Sequence, residues 1–298
     1  MIIELKDISL KDKMDFLQAA IAPRPIGLVS TIDKDGNSNL APFSYFNLFS
    51  ASPPIIIFSP LRKVRNNETK HSRENIYEVP EAVIHIVDYD MVHQTNLSST
   101  EYPKHTNEFL KAGFTPEPAT RVSPLMVKES PIKLECKVKQ IKPLGEKGGA
   151  GTLIICEVLV MHIHEKILDG NNKIDQQKIH HVARLGGDWY AKISCDNLFK
   201  ITKPINDLPM GIDALPEFIR HSDHLTGNQL ARLASLAKLP AKDPAFRDER
   251  LEALTKYLKD ESLSKKLHEY ARELMEENKI EAAWQVLLRQ NKIPEHAL

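Results

Sequence analysis

The chain has 298 residues, of which 42% are hydrophobic and 27% are charged, a composition typical of a folded globular protein and not of a disordered one. Its 40 basic and 40 acidic residues leave a formal net charge of zero, so there is no electrostatic footprint for nucleic acid or for an anionic membrane surface. No segment approaches the roughly 20 apolar residues of a membrane helix, and the first residues do not resemble a secretory signal. We therefore expect neither nucleic acid nor membrane as a partner.

The first two thirds of the chain shows the pattern of β-strands with few helices. Apolar runs and alternating segments predict strands at residues 26–32, 54–58, 82–87, 132–139 and 152–164. Helices are predicted at residues 11–20 and 91–99. Strands of this number and spacing, without regular helical crossovers, favour an antiparallel barrel or sandwich over a doubly wound sheet.

Three cysteines are widely spaced and form no C-x-x-C pair. This pattern predicts reduced thiols in a cytoplasmic protein. Cys136 and Cys156 fall in strand patterns, and we expect them to fill the core.

Residues 38–47, Ser-Asn-Leu-Ala-Pro-Phe-Ser-Tyr-Phe-Asn, combine small residues, a proline and three aromatics directly after a predicted strand and turn. Ala41 and Ser44 leave room, and Pro42 fixes its backbone dihedral and lacks an N–H. The aromatic rings offer planar walls. This combination suits a backbone that passes close to a flat, half-polar ligand, and an ordinary edge strand with a proline is the alternative.

A polar segment at residues 59–76 follows the strand predicted at 54–58 and mixes Arg and Lys side chains with hydroxyls and amides. Lys70 and Ser72, beside a predicted helix start, could bind a phosphate through charge, hydroxyl and helix N–H donors. The alternative is a solvated basic loop that Ser72 caps and that acidic neighbours balance.

After about residue 204 the pattern changes to helices, which are predicted at residues 217–219, 229–236, 249–258 and 264–288. We therefore expect two domains, residues 1–203 and residues 204–298, the second all-helical. Three roles are open for the helical region: a stabilising cap, an extension of a dimer interface, or a lid in which residues 209–216 lie over a ligand. The amphipathic pattern favours the first two.

Five blocks of the sequence occur together in the order and spacing of a known family. They are Pro-Arg-Pro-Ile-Gly-Leu-Val-Ser-Thr at 23–31, Asn-Leu-Ala-Pro-Phe-Ser-Tyr-Phe-Asn at 39–47, Ser-Pro-Pro at 52–54 with Phe-Ser at 58–59, Glu-Val-Leu-Val-Met-His-Ile-His at 157–164, and Ala-Arg-Leu-Gly-Gly-Asp-Trp-Tyr at 183–190. Over about residues 15–195 the chain resembles the flavin reductase-like family. The resemblance implies a mainly β fold, an FMN-binding split β-barrel, followed here by the C-terminal all-helical region. It also implies a homodimer with FMN near its interface.

The resemblance further implies which residues hold the cofactor. Carried over by position, the residues along the flavin ring are Asn39, Ala41, Pro42, Phe43 and Ser44. Those at the phosphate or the ribityl chain are Ser59, Lys70, Ser72 and Asn75. Many relatives have Lys-Asp-Thr where this chain has Lys70-His71-Ser72, which leaves the phosphate contacts around His71 open.

Charge alone raises a further hypothesis for this segment. Arg62, Lys63 or Arg65, if near the pyrimidine side of the ring, would favour the anionic reduced flavin.

The fifth block contains candidate substrate residues. His181 and Arg184 could contact a substrate or nicotinamide, and a polar loop with Arg184 in a structural ion pair is the alternative. Trp189 and Tyr190 are predicted to be core aromatics.

Two histidines on one strand could chelate a metal, because His162 and His164 share a face. No third ligand stands at a useful spacing. We adopt cross-strand packing or exposure as the interpretation, and no metal site is predicted.

The resemblance implies an NAD(P)H-dependent flavin reductase-like oxidoreductase. NADH or NADPH would deliver hydride to FMN, and electrons would pass to free flavin, a metal chelate or a partner oxygenase. The cofactor carries the redox chemistry, which agrees with the lack of an evident acid–base pair or nucleophile triad. Direct reduction of a small-molecule electron acceptor by bound FMN is a second enzymatic alternative. A non-catalytic FMN-binding sensor or storage protein is an alternative of a different class.

Overall fold

The computed structural model describes residues 1–201 and 208–290. Contacts between residues divide the chain into two compact units, Met1–Phe199 and Lys200–Leu298. Each unit has a hydrophobic core of its own. The predicted domain boundary between residues 203 and 204 lies outside the described residues.

Strands dominate the first unit. They are β1 (Arg24–Pro25), β2 (Gly27–Ile32), β3 (Ser38–Phe43), β4 (Phe46–Ala51), β5 (Pro54–Phe58), β6 (Glu81–Ile86), β7 (Pro116–Glu117), β8 (Met126–Val127), β9 (Ile132–Pro143), β10 (Thr152–Ile163), β11 (Val182–Arg184) and β12 (Tyr190–Lys192). Its helices are α1 (Leu10–Ala20), α2 (His71–Glu78), α3 (Val92–Leu97) and α4 (Glu108–Ala112), with short 3-10 helices at Leu5–Asp7, Tyr89–Met91, Glu165–Ile167 and Cys195–Asn197. The strands and helices predicted for this part of the chain are all present, with ends that differ by a few residues.

One antiparallel sheet of seven strands, in the order β3-β2-β6-β9-β10-β5-β4, forms the body of the first unit, residues 1–199, all of which the structure describes. Its edge strands β3 and β4 are consecutive in the chain and are joined only by Ser44 and Tyr45. Because Phe43 and Phe46 are three Cα steps apart and so lie within about 11 Å of each other, the sheet must curl until its two edges are neighbours. The result is a barrel with a seam between β3 and β4.

The barrel closes around an apolar core in which Val29, Phe58 and Ile84 have no exposed surface. Cys136 on β9 and Cys156 on β10 are fully buried free thiols, as predicted. Burial raises the pKa of the Cys156 thiol to about 12. These thiols therefore act as core residues and not as nucleophiles.

A smaller antiparallel sheet, β1-β11-β12, carries the segment around Arg184. Arg24 on β1 is buried, and its guanidinium donates to the carbonyl oxygens of Gln18 and Ile21 at the C-terminal end of α1. It also donates to the carbonyl oxygen of Leu185 at 2.8 Å. One buried cation thus fixes β11 and its following loop against α1.

The described part of the second unit is all-helical. Its helices are α5 (Glu217–Arg220), α6 (Gly227–Leu233), α7 (Glu249–Tyr257), α8 (Asp260–Glu276) and α9 (Ile280–Leu287), with a 3-10 helix at Ile212–Ala214. Trp284 is fully buried in this core, and its indole Nε1 donates to the carbonyl oxygen of Leu233 at 3.2 Å. The prediction of one helix over 264–288 is wrong, because Asn278 adopts a left-handed conformation with φ 63° between α8 and α9.

The segment predicted as a possible lid, residues 209–216, packs within the helical unit. The amide of Met210 donates to the carbonyl oxygen of Leu236, and Leu215 is 3% exposed in the helical core. A lid role for this segment stays a prediction. The prediction of a mainly β fold with a C-terminal helical region is confirmed. None of the described helices is long and apolar enough to cross a membrane.

Candidate functional site

Three cavities adjoin one another in the first unit. The central cavity, about 230 Å³, is lined by Ile26, Pro42, Ser44, Val92, Thr95, Asn96, Ser99, Arg184 and Tyr190. The lysine cavity, about 50 Å³, is lined by Asn39, Ala41, Lys63, Thr69, Lys70, His71, Ser72, Ser98, Ser99, Thr100, Glu101, Tyr102 and Glu108. The outer cavity, about 440 Å³, is lined by Tyr89, Val92, His93, Asn96, Val182, Arg184, Asp188, Tyr190, Ala191 and Lys192. Shared lining residues connect the central cavity to each of the other two.

Strand β3 borders two of these cavities. Asn39 and Ala41 stand two residues apart, on one face of the strand, and line the lysine cavity. Pro42 points to the other face and lines the central cavity, together with Ser44 at the barrel seam. A ligand that lies along β3 would therefore reach both cavities.

The lysine cavity contains two cations, Lys63 and Lys70, and two carboxyl groups: Glu101, which faces the cations, and Glu108, which accepts from the Leu40 amide at 3.1 Å. The Lys70 Nζ lies 3.2 Å from the Glu101 carboxylate, and the Lys63 Nζ lies 3.7 Å from it. Lys63 also pairs with Glu68 at 3.0 Å. The hydrogen bond from Lys70 lowers the pKa of the Glu101 carboxyl. Glu101 thus occupies the position that an external anion would take beside Lys70.

The start of helix α2 adds uncharged donors to this cavity. Lys70 is the residue before the first turn, and Ser72, within that turn, is 1% exposed. The Asn39 side-chain amide donates to the Ser72 hydroxyl at 2.8 Å. The first backbone N–H groups of a helix lack partners within it and carry the positive end of its dipole. This end of the cleft can therefore bind an anion.

Thr95, which lines the central cavity, has a buried hydroxyl that no group in the described part of the chain satisfies. Thr95 is 3% exposed, and its Oγ1 has no hydrogen-bond partner among the residues that the structure describes. An unsatisfied buried polar group costs about 1–3 kcal/mol. A ligand with a polar edge that reaches this oxygen would remove that cost.

Most of the predicted site residues line the central or the lysine cavity: Asn39, Ala41, Pro42, Ser44, Lys70, Ser72 and Arg184. Phe43 does not, because its ring packs on Phe58 in the barrel core with the ring centroids 5.2 Å apart. Asn75 is buried, and its amide donates to the Thr31 hydroxyl at 3.2 Å.

Ser59 and His181 also lie away from these two cavities. Ser59 faces Gly151, where an added Cβ would come within 2.5 Å of the Ser59 Oγ. His181 is half-buried and its backbone pairs with that of Asp88. Burial lowers the pKa of the His181 imidazole, which therefore favours the neutral form.

Sequence reasoning missed the part of the site that lies in the connection between β6 and β7. These residues are Thr95, Asn96, Ser99, Glu101 and Tyr102, on α3 and the loop after it. The available signal was the hydroxyl-rich run Ser-Ser-Thr at 98–100, at the end of the helix predicted at 91–99.

The prediction that Trp189 and Tyr190 are core aromatics is wrong. Trp189 is 75% exposed, and Tyr190 lines both the central and the outer cavity. The guanidinium of Arg184 lies 4.6 Å from the centre of the Tyr190 ring. Tyr190 therefore belongs to the site and not to the core.

The hypothesis that placed three cations beside the flavin ring named Arg62, Lys63 and Arg65. None of these three lines the central cavity. Lys63 lines the lysine cavity instead. Arg62 donates from Nε to the side-chain oxygen of Asn67 at 2.8 Å. The proposed effect of these three cations on the reduced flavin stays a prediction. The cation that lines the central cavity is Arg184.

The histidines considered as metal ligands make hydrogen bonds to other protein groups. The His162 Nε2 lies 2.6 Å from the Glu135 carboxylate, and the His164 Nδ1 accepts from the Lys166 amide at 3.1 Å. Within residues 1–201 and 208–290, no group of three or more His, Cys, Asp or Glu side chains could hold a metal ion.

Known proteins resemble about two thirds of this chain. The model of the flavin reductase like domain matches residues 20–178. An uncharacterized protein of Halalkalibacterium halodurans is 36% identical over 199 residues, which are 66% of this chain and 93% of that protein. The structure of nitrilotriacetate monooxygenase component B from Bacillus cereus is 32% identical with a TM-score of 0.63, over 67% of this chain and 98% of that one.

A second solved structure has the same fold. It is a Shewanella frigidimarina protein described as a flavin reductase with a split barrel domain, with 25% identity and a TM-score of 0.58 over 68% of this chain and 99% of that one. The predicted split-barrel fold is thus confirmed. The chain belongs to the flavin reductase like domain family and carries the fold of these flavin-related oxidoreductases.

Proposed function

We propose that the chain binds FMN along β3 and acts as an NAD(P)H-dependent flavin reductase-like oxidoreductase. The proposal rests on one observation: β3 lines two cavities. Asn39 and Ala41 line the lysine cavity, and Pro42 lines the central cavity. A ligand with an anionic end and a planar end matches this arrangement. Family membership supports a flavin as that ligand.

The phosphate end of FMN would lie in the lysine cavity. Lys63 and Lys70 offer ammonium groups, Ser72 offers a hydroxyl, and the first turn of α2 offers backbone N–H groups. A dianionic phosphate favours such charge-assisted hydrogen bonds. Ser59 and Asn75 stay predictions here, because neither side chain lines this cavity.

The ring end would lie in the central cavity. Pro42 presents a surface without an N–H, Ser44 and Thr95 present hydroxyls, and Arg184 with Tyr190 borders the outer side. In this proposal the polar edge of the ring satisfies the Thr95 hydroxyl. Phe43 supports β3 from the core side, because its ring is fixed against Phe58.

Bound FMN would supply hydride and electron transfer, with NADH or NADPH as the reductant. The residues of the chain bind the cofactor, orient its ring and leave one side open toward the outer cavity. The electron acceptor is a free flavin, a metal chelate, a partner oxygenase or a small organic molecule. The likeness to a monooxygenase component B supports a partner oxygenase among these acceptors.

We also propose that the protein is a homodimer in the cytoplasm. Helix α1 exposes Phe16 and Leu17, and the edge strand β4 exposes Leu48 and Phe49 by 62% and 63%. Apolar side chains on an exposed edge strand favour pairing with another chain. The three free thiols are in keeping with a reducing compartment. Light scattering during size-exclusion chromatography tests the dimer, and a monomer at micromolar concentration would contradict it.

Flavin titration tests the cofactor assignment. Protein freed of cofactor is titrated with FMN and with riboflavin by calorimetry, and we expect FMN to bind at least about tenfold more tightly. Lys70→Met should remove most of this preference, because it deletes an ammonium group of the lysine cavity. Lys142→Met, an exposed change on β9, should retain it. Failure of the unaltered chain to bind either flavin would overturn the proposal.

Anaerobic stopped-flow mixing with NADH and with NADPH tests the activity. Bleaching of the bound-flavin absorbance by either reductant supports the reductase. A flavin that binds tightly and that neither nicotinamide reduces would instead indicate a non-catalytic flavin-binding protein.

A further inference from the structure

The flavin site proposed above opens toward the outer cavity but places no part of FMN in it. It is the largest of the three adjoining cavities, about 440 Å³, a volume typical of small-molecule sites. It shares Val92, Asn96, Arg184 and Tyr190 with the central cavity. A molecule in the outer cavity would therefore lie beside the occupant of the central one.

The walls of the outer cavity combine aromatic rings with cations. The Lys192 Nζ lies 3.9 Å from the centre of the Tyr89 ring, and Arg184 lies 4.6 Å from that of Tyr190. Val182 adds an apolar surface. Each cation is held over an aromatic face by its attraction to the π-electrons. Rings and positive charge thus occur together in one cavity.

The two cations differ in what neutralises them. Arg184 donates to the Gly187 carbonyl oxygen at 2.7 Å and lies 3.8 Å from the exposed Asp188 carboxylate. Lys192 has no carboxylate within 4.0 Å in the part of the chain that the structure describes. The ammonium of Lys192 is therefore the group in this cavity that an anionic ligand would neutralise.

We propose that the outer cavity binds a planar organic anion, an aromatic carboxylate whose ring also carries a reducible group, as the small-molecule acceptor class. This rests on the proposed flavin function, in which the reducible group takes two electrons from the reduced flavin and two protons from the flavin and solvent. The carboxylate pairs with Lys192, and the ring lies against the phenol rings of Tyr89 and Tyr190. A neutral aromatic compound lacks the ion pair, and a short aliphatic acid lacks the ring contact. Both features are required for tight binding.

Benzoate is the probe that tests this inference. Its binding is measured by calorimetry on the full chain, with and without FMN, and also by the shift that it causes in the bound-flavin spectrum. Benzyl alcohol and acetate serve as the neutral and the non-aromatic controls. We expect saturable benzoate binding and at least about tenfold weaker binding of both controls.

Variants separate the ion pair from a general change in the protein. Lys192→Met should weaken benzoate binding about tenfold, whereas Lys192→Arg keeps the charge and should stay within about threefold. Tyr89→Leu should weaken it as well, and Lys142→Met should leave it unchanged. FMN affinity should be retained in all four variants, which shows that the fold and the flavin site are intact.

The outcomes distinguish this inference from the flavin assignment. FMN binding without saturable benzoate binding, or equal benzoate affinity in Lys192→Met and the unaltered chain, overturns the inference and leaves the flavin proposal standing. Benzoate binding that depends on Lys192 in a chain that binds no flavin supports the cavity assignment and overturns its role as an acceptor site.

Discussion

The side-chain amide of Asn39 donates a hydrogen bond to the hydroxyl of Ser72 at 2.8 Å and so connects β3 to the first turn of α2. Both residues are buried. Because the Ser72 oxygen accepts this bond, the Ser72 hydroxyl can still donate its own proton to an anion in the lysine cavity. The Ser72 hydroxyl and the ammonium groups of Lys63 and Lys70, which we propose as phosphate donors, thus line one cavity.

Ser72→Ala should weaken FMN binding about tenfold, because the phosphate loses a donor and the Asn39 amide loses its acceptor. Riboflavin, which has no phosphate, should lose at most about twofold. Ser72→Thr retains the hydroxyl and serves as the matched control. Calorimetric titration with both flavins measures the difference. An equal loss for FMN and riboflavin would mean that Ser72 acts only through the folding of α2.

Glu101→Gln should tighten FMN binding about threefold to tenfold. The Glu101 carboxylate lies 3.2 Å from the Lys70 ammonium and therefore competes with the phosphate for that cation. Removal of its charge leaves Lys70 unpaired in the flavin-free protein and relieves repulsion with the phosphate in the complex. The gain should shrink at high salt, since ions screen these partly exposed charges.

Two controls accompany the Glu101 change. Riboflavin affinity should stay unchanged, because only the phosphate competes with Glu101. Glu68→Gln removes the carboxylate that pairs with Lys63 at 3.0 Å but that does not line the cavity, and it should alter FMN binding by less than about twofold. A weaker FMN complex in Glu101→Gln would contradict the competition.

The residues of β3 could be predicted because their signal is local. Residues 38–47 carry small, aromatic and proline positions in one continuous run, and the strand presents both faces to the cleft. Thr95 and Glu101 could not be predicted in the same way. They come from a helix and loop that reach the cleft through tertiary packing, and an isolated threonine or glutamate gives no pattern.

Two errors have physical reasons of the same kind. Trp189 and Tyr190 look like core residues by type. The loop between β11 and β12, which ends at Trp189, is held at its Leu185 end by Arg24, and Tyr190 at the start of β12 lines the cleft. The long apolar period over 264–288 continues through Asn278, and only its left-handed backbone divides the segment into two helices. In the first case side-chain type wrongly predicted burial, and in the second the apolar period wrongly predicted one continuous helix. In both cases the backbone geometry determined the structure.

Stability below neutral pH should depend on His85. Its imidazole is fully buried, with Nδ1 2.7 Å from the Leu28 carbonyl oxygen and Nε2 accepting from the Val127 amide at 2.8 Å. Burial lowers the pKa of His85 to about 3. In the unfolded chain the pKa of this histidine is about 6.5, so below that pH the unfolded chain binds a proton that the folded chain does not bind. Stability is therefore complete above pH 6.5 and falls as the pH decreases toward 3, by about 2 kcal/mol between pH 6.5 and pH 5.

Hydrogen exchange of β6 and β9 peptides as a function of pH measures this effect. His85→Gln should destabilise the barrel at pH 7, because glutamine does not reproduce both contacts, and it should flatten the pH dependence between pH 6.5 and 5. His164→Gln, at an exposed position, should leave the slope unchanged. A slope that survives in His85→Gln would assign the titration to another group.

A buried carboxylate on β9 should control stability in acid. Burial opposes ionisation of Glu135, but hydrogen bonds from Thr120, from His162 and from the Arg121 amide outweigh it and lower its pKa to about 2. A depressed carboxyl pKa adds stability above the unfolded value of about 4.3, and this stability is lost as the pH falls toward 2. Glu135→Gln should cost about 2–3 kcal/mol at pH 7.

The matched control for this change is Glu157→Gln on β10, whose carboxylate pairs with Lys139 at 2.9 Å near the surface. It should cost less than about 1 kcal/mol. Urea unfolding from pH 7 to pH 3 measures both. If the two variants lose stability equally, the Glu135 hydrogen bonds do not contribute in the proposed way.

Thr95→Val should change stability and flavin affinity in opposite directions. The Thr95 Oγ1 is buried without a partner in the described chain, so its replacement by a methyl group should stabilise the flavin-free protein by about 1 kcal/mol. The same change deletes the group that we assign to the polar edge of the flavin ring, so FMN and riboflavin should both bind about fivefold to tenfold more weakly. Thr95→Ser keeps the hydroxyl and should bind both flavins within about twofold of the unaltered chain. Because a purely structural threonine would change stability alone, unchanged affinity for both flavins in Thr95→Val would remove this residue from the site.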